Sequence, residues 1–132
     1  MTAGAVQAAA GVIPEDVPIV MLNMLRYREH ADYGDRTDVA PCSGREAFLQ
    51  RYSPLVRQIM GEGSRLVWLG HVLAPVVAPA DEPWDDIALV EYPSFAAFRR
   101  LTEHPRYLAE AAFHRTAALE DSRLIAMVKA MP

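Results

Sequence analysis

After a short lead-in, the chain alternates apolar runs with stripes of helical period. Pro18–Tyr27 (PIVMLNMLRY) is nearly all apolar, lies between a proline and a charged segment, and predicts a strand. Arg28–Cys42 is polar, holds Gly34 and Pro41, and predicts a long excursion over the surface. Ser43-Gly-Arg-Glu46 has the spacing of a capping box, and beyond it Phe48, Tyr52, Val56 and Ile59 share one helical stripe. Pro54 is expected to bend that helix. Arg65–Val77 predicts a second strand, at a sheet edge because Pro75 has no amide to give to a ladder. Asp86–Tyr92 (DIALVEY) predicts a third. Ser94 then caps a helix that turns Phe95, Phe98 and Leu101 inward. His104-Pro105 restarts a helical piece running to about Leu119, and Ser122–Val128 closes the chain as a fourth strand.

The order β-α-β-β-α-β, with right-handed crossovers, predicts an α+β split βαβ unit. Its sheet is four-stranded and antiparallel, both helices cover one face, and the first and third strands are central. In the first strand Ile19, Met21 and Leu25 alternate with Val20, Leu22 and Met24, and both sets are apolar. In the second, Leu66 and Trp68 alternate with Val67 and Leu69. A helix-free face exposed to water should carry polar residues, so this one is expected to be buried against a second copy. Residues 1–16, with a frayed helix over Ala3–Ala10, are expected to lie outside the core, leaving residues 17–132 as one domain.

Composition adds limits. The 132 residues suffice for one domain, and 52% hydrophobic against 23% charged excludes a disordered chain. Thirteen basic against seventeen acidic residues, net −4, argues against nucleic-acid binding. The single cysteine, Cys42, excludes a disulfide framework and points to a reducing, cytoplasmic setting. No Lys or Arg precedes Arg26, as a secretory leader would need, and no run reaches the ~18 apolar residues of a membrane span. HExxH, CxxC, Walker A, GxGxxG and GxSxG are all missing, and the four histidines lack metal-ligand spacing, so neither cofactor nor metal is expected.

The candidate chemistry lies in polar residues set among apolar ones. Asn23, alone in an apolar central strand, should either line a cavity or tie a loop to the sheet. His71 is a candidate general base, or else a half-buried imidazole bonded to backbone. Glu91, near the end of the third strand, is a candidate proton shuttle, or else the partner of an arginine such as Arg26 or Arg123. Arg115 is a candidate carboxylate anchor with His114 as proton donor, or else pairs with Glu120 or Asp121. Tyr52, Trp68 and Tyr107 could wall an aromatic pocket, although Tyr52 also fits a core stripe. Asp81, Glu82, Asp85 and Asp86 read as a solvated hairpin tip.

The segments VPIVMLNMLRYRE, SGREAFLQRY, WDDIALVEYPSFAAF and HRTAALEDSRLI resemble domain-of-unknown-function family 1330, over about Val17 to Val128. The resemblance is most specific at the Asn23 strand and at His114-Arg115, and it weights that pair toward function. It implies a ferredoxin-like protomer of the dimeric α/β-barrel superfamily. That superfamily includes cofactor-free monooxygenases, muconolactone isomerase and haem-dependent enzymes. The expectation is a homodimer that holds a small, partly apolar ligand. It would act either as a cofactor-free enzyme of isomerase, cyclase or monooxygenase type, working by proton transfer, or as a non-catalytic metabolite-binding dimer.

Overall fold

A computed structural model describes residues 1–131. Its element order is α1 (Ala3–Ala10), β1 (Ile19–Tyr27), α2, β2 (Arg65–His71), β3 (Asp86–Tyr92), α3 (Phe95–Thr102), α4 and β4 (Leu119–Met127). Helix α2 runs over Gly44–Glu46, widens into a π turn over Ala47–Tyr52 and continues through Ser53–Ile59. Helix α4 comprises a π turn over Tyr107–Ala111 followed by Ala112–Ala118. The strands form one antiparallel sheet in the order β2-β3-β1-β4, so the first and third strands are central as expected. This is the ferredoxin-like α+β arrangement.

Local chemistry explains the elements. Ser43 and Glu46 close the capping box at the start of α2. Ser94 caps α3 by accepting from the Ala97 amide. Pro54 does not break α2, because the π turn ends at Tyr52, two residues before it, with the Ser53 amide donating five residues back to Phe48. The wider register makes room for a ring that an α turn would push into the preceding carbonyl.

Helix-facing positions of β1 and β3 form the core with the helices. Ile19, Met21 and Tyr92 pack with Phe95, Phe98, Leu101, Tyr107 and Ala111. A second cluster joins Leu25, Tyr27, Ala47, Phe48, Ala118 and Leu119. Gly44 sits where α2 crosses the chain after β1, its amide donating to Arg28 O. A Cβ there would strike the backbone of Arg28 and Ala118, so only glycine lets the helix start this close.

Three expectations are corrected. Strand β2 stops at His71, and the chain beyond it leaves the sheet before Pro75, with Leu73, Val76 and Val77 almost fully exposed. Prolines at 75 and 79 deny that stretch a ladder. The lead-in is not separate from the core: α1 buries no residue outright, yet Val6, Ala9, Ala10 and Ile13 pack against the first cluster. Asp86 is not part of a solvated tip. It is completely buried, because β3 alternates Asp86, Ala88, Val90 and Tyr92 onto the helix-covered face.

The middle of the opposite face is apolar across all four strands, with Arg65, Glu91 and Arg123 around it. The register aligns Ile125, Leu22, Leu89 and Trp68 in one row, with Met24 and Ile87 in the next. Among the described residues, no helix is long and apolar enough to cross a membrane.

Candidate functional site

Edge strand β2 stands away from the helices, and the space between it and α2 opens a cavity of about 290 Å³. Its floor is the sheet (Met21, Asn23, Leu66, Leu69, Ala88, Val90), and its walls are α2, α3 and α4. Most of the lining is apolar. The polar groups that reach it include Asn23, Tyr52, His71, Tyr107 and Arg115.

At the β2 end, His71 Nδ1 lies 2.7 Å from Asp86 Oδ1. A carboxylate can only accept, so the proton of this bond sits on Nδ1, and the neutral ring presents a bare Nε2. Asp86 is further held by the Tyr27 hydroxyl, which donates at 2.6 Å, and by Arg45 Nη1, at 3.0 and 2.8 Å from its two oxygens. Arg45 Nη1 also stands 3.3 Å from His71 Nδ1, where the two are donors converging on one acceptor. Burial works to raise the Asp86 pKa, but the hydrogen bonds from Tyr27, His71 and Arg45 hold it below the usual carboxylate value. The same burial, with the Asp86 bond, pushes the Tyr27 phenol far up. The His71 side chain remains 65% exposed while its partner is fully enclosed. A buried anion thus orients an accessible imidazole.

Deeper in the cavity, Tyr52 and Tyr107 each sit on a π turn, and their hydroxyls meet at 2.8 Å. Burial, followed by the neighbouring Tyr107, drives the Tyr52 phenol well upward, and burial does the same to Tyr92. Both stay protonated. Asn23 reaches the carbonyls of Met21 and Ala88 only at 3.4 and 3.5 Å, the long limit of a hydrogen bond. Its amide therefore lines the cavity and ties no loop to the sheet. Arg115, half-buried, has no ion-pair partner among the described residues. Glu120 and Asp121, its expected partners, engage Arg26, and Asp121 also engages Arg123.

The cavity therefore gathers Asn23, Tyr52, His71 and Arg115 and leaves out three other candidates. Glu91 lies on the helix-free face in an open pair with Arg65 at 2.9 Å, so it is the partner of an arginine, though neither Arg26 nor Arg123. Trp68 is on that same face, 62% exposed, its indole lying across Gly70. His114 is buried on the far side of α4, where Nδ1 and the Tyr33 hydroxyl share a hydrogen bond of 2.7 Å. Tyr33 in turn accepts from Arg51, and Arg36 stacks 3.6 Å over the Phe113 ring, so His114 fastens the excursion after β1. Burial and the charges of Arg51 and Arg36 hold its pKa down, which favours the neutral ring. Asp86, Arg45 and Tyr27 were missed. The signal for Asp86 was its phase: it falls on the same face as Ala88, Val90 and Tyr92. No group of three or more His, Cys, Asp or Glu among the described residues is placed to hold a metal.

Comparison with known proteins bears on the fold. The crystal structure of RPA0582, a protein of unknown function from Rhodopseudomonas palustris, matches with a TM-score of 0.81 and 34% identity, over 100% of this chain and 96% of that one. The methylated RPA0582 protein matches with a TM-score of 0.81 and 35% identity, over 100% and 94%. The chain belongs to the RPA0582 family. No protein-family model and no curated protein matches it. Membership in the RPA0582 family fixes the architecture, and any chemistry must be argued from the cavity.

Proposed function

We propose that the protein binds a small, partly apolar molecule in this cavity and moves a proton on it, with His71 as the general base and no cofactor. The observation that carries the proposal is the 2.7 Å contact between His71 and the enclosed Asp86 at the lip of an apolar cavity. Asp86 fixes the ring's orientation and tautomer and stabilises the imidazolium formed once Nε2 takes a proton. Asn23 and Arg115 hold the molecule, and the tyrosine pair supplies a neutral donor. The protomer resembles family 1330 of the dimeric α/β barrels, and a homodimer closed over the apolar sheet face belongs to the same reading.

Proton abstraction leaves a record in heavy water. A set of small aromatic and branched carbon acids, incubated with the protein in D2O, is expected to include one that gains deuterium at carbon. His71→Gln should slow that exchange by ~10²-fold or more, the usual share of a general base. No exchange above the uncatalysed rate in any compound, or an unchanged rate in H71Q, would reduce the cavity to a non-catalytic binding site.

A further inference from the structure

From the charges and free donors of the cavity we infer the class of its ligand: a small monocarboxylic acid with an apolar body, its carboxylate paired with Arg115. The inference rests on the cavity's being a ligand site, as proposed above, but not on His71 being a base.

The protein as a whole is acidic, with seventeen acidic residues against thirteen basic, yet its cavity is not. Among the described lining residues there are two arginines, Arg57 and Arg115, and no aspartate or glutamate. Asp86, at the His71 end, is already occupied by Arg45, Tyr27 and His71, and Glu103, which lies near Arg115 outside the cavity, is paired with Arg99. Among the described residues Arg115 forms no ion pair with a carboxylate, although a half-buried guanidinium gains most from a bidentate anion.

Tyr52 and Tyr107 carry two hydroxyl protons, and their mutual bond uses one. Whichever hydroxyl donates to the other, one O–H remains to donate beside Arg115, whose charge already acts on Tyr52. The Asn23 amide spends its N–H groups on two long contacts and can give a better one. A carboxylate accepts from all three kinds of donor. An ammonium group would meet two guanidiniums of like charge and no carboxylate in the lining, and an uncharged amide would leave the guanidinium without a counter-charge.

Size sets the body. A cavity of 290 Å³ is about twice the ~150 Å³ that accepts benzene, which gives room for roughly ten to twelve non-hydrogen atoms. The lining around the polar groups (Met21, Phe48, Leu49, Val56, Leu66, Leu69) suits an aromatic or branched chain.

The test titrates the full-length protein, followed by NMR, with phenylacetate, benzoate and isovalerate, and with their primary amides. At least one acid should bind ~tenfold or more tightly than its amide, as expected for a charge-assisted pair. Arg115→Met should weaken the acid to the level of the amide and leave the amide unchanged. The acid-against-amide comparison reads binding alone and needs no turnover, so its outcome is read apart from that of deuterium exchange. Equal affinity for acid and amide, a preference that survives in R115M, or no binding of any acid below ~10 mM would each overturn the assignment. The wild-type comparison of acid with amide decides the matter without any variant.

Discussion

Replacing Asp86 with alanine is expected to cost about 3 kcal/mol of folding stability, because it strips three donors of their acceptor at once. The Tyr27 hydroxyl would be left buried and unpaired, and Arg45 would lose its counter-charge. Arg45 is 44% exposed and can turn to water, which keeps the loss toward the lower end of what breaking a buried ion pair costs. For a chain of this length the thermal midpoint should fall by about 10 °C. The pH dependence has a definite sign. The Asp86 pKa is lower in the folded state than in the unfolded one, so its contribution is fully present above ~pH 4 and is lost as pH falls through the folded value. The gap between wild type and D86A should therefore narrow on acidification. Urea denaturation across pH checks both parts, and a loss under ~1 kcal/mol at neutral pH would mean that the network is solvated.

The second large effect concerns assembly. Wild type should sediment at about twice its chain mass at micromolar concentration, and Leu22→Glu should be monomeric with unchanged secondary structure. Leu22 lies in the middle of the helix-free face, opposite Leu89 on one side and Ile125 on the other, with Trp68 beyond Leu89. A charge there cannot be buried against a second copy without several kcal/mol of desolvation. In the monomer it would simply face water. Such an apolar face on an uncovered sheet calls for a partner, and a two-fold interface would cover it on both copies at once. A monomeric wild type, or a dimeric L22E, would contradict this.

Much of the architecture was legible in the sequence because its signals are local. The capping box at Ser43, the cap at Ser94 and the apolar runs at Pro18–Tyr27 and Asp86–Tyr92 each mark an element without help from the rest of the chain. The end of β2 was not legible, since Val72–Val77 is as apolar as a strand and only its prolines and its lack of partners release it. The π turns were not legible either, since a π turn differs from an α turn by one residue of register that Pro54 hints at but does not specify.

The site divides along the same line. Asn23 was found because an amide in an apolar central strand is conspicuous locally. His71 was found as a residue, but its partner was not, since Asp86 lies fifteen positions away and looks like one of four acids in a turn. Only the β2–β3 register, which sets His71 opposite Asp86, turns the two into a unit. His114 failed for a related reason. Its neighbour Arg115 faces the cavity, while the 100° step of the helix carries His114 to the other side, toward Tyr33.

The central claim is that Asp86 holds His71 with its proton on Nδ1 and leaves Nε2 free to accept one at the cavity. The most direct measurement is long-range ¹H–¹⁵N NMR of the histidine rings at neutral and higher pH, with His71 assigned by its absence in H71Q. The account predicts that neutral His71 is the Nδ1–H tautomer in the wild type and that it loses this preference in D86A. A neutral His71 with its proton on Nε2, or a tautomer ratio that ignores the loss of Asp86, would contradict it.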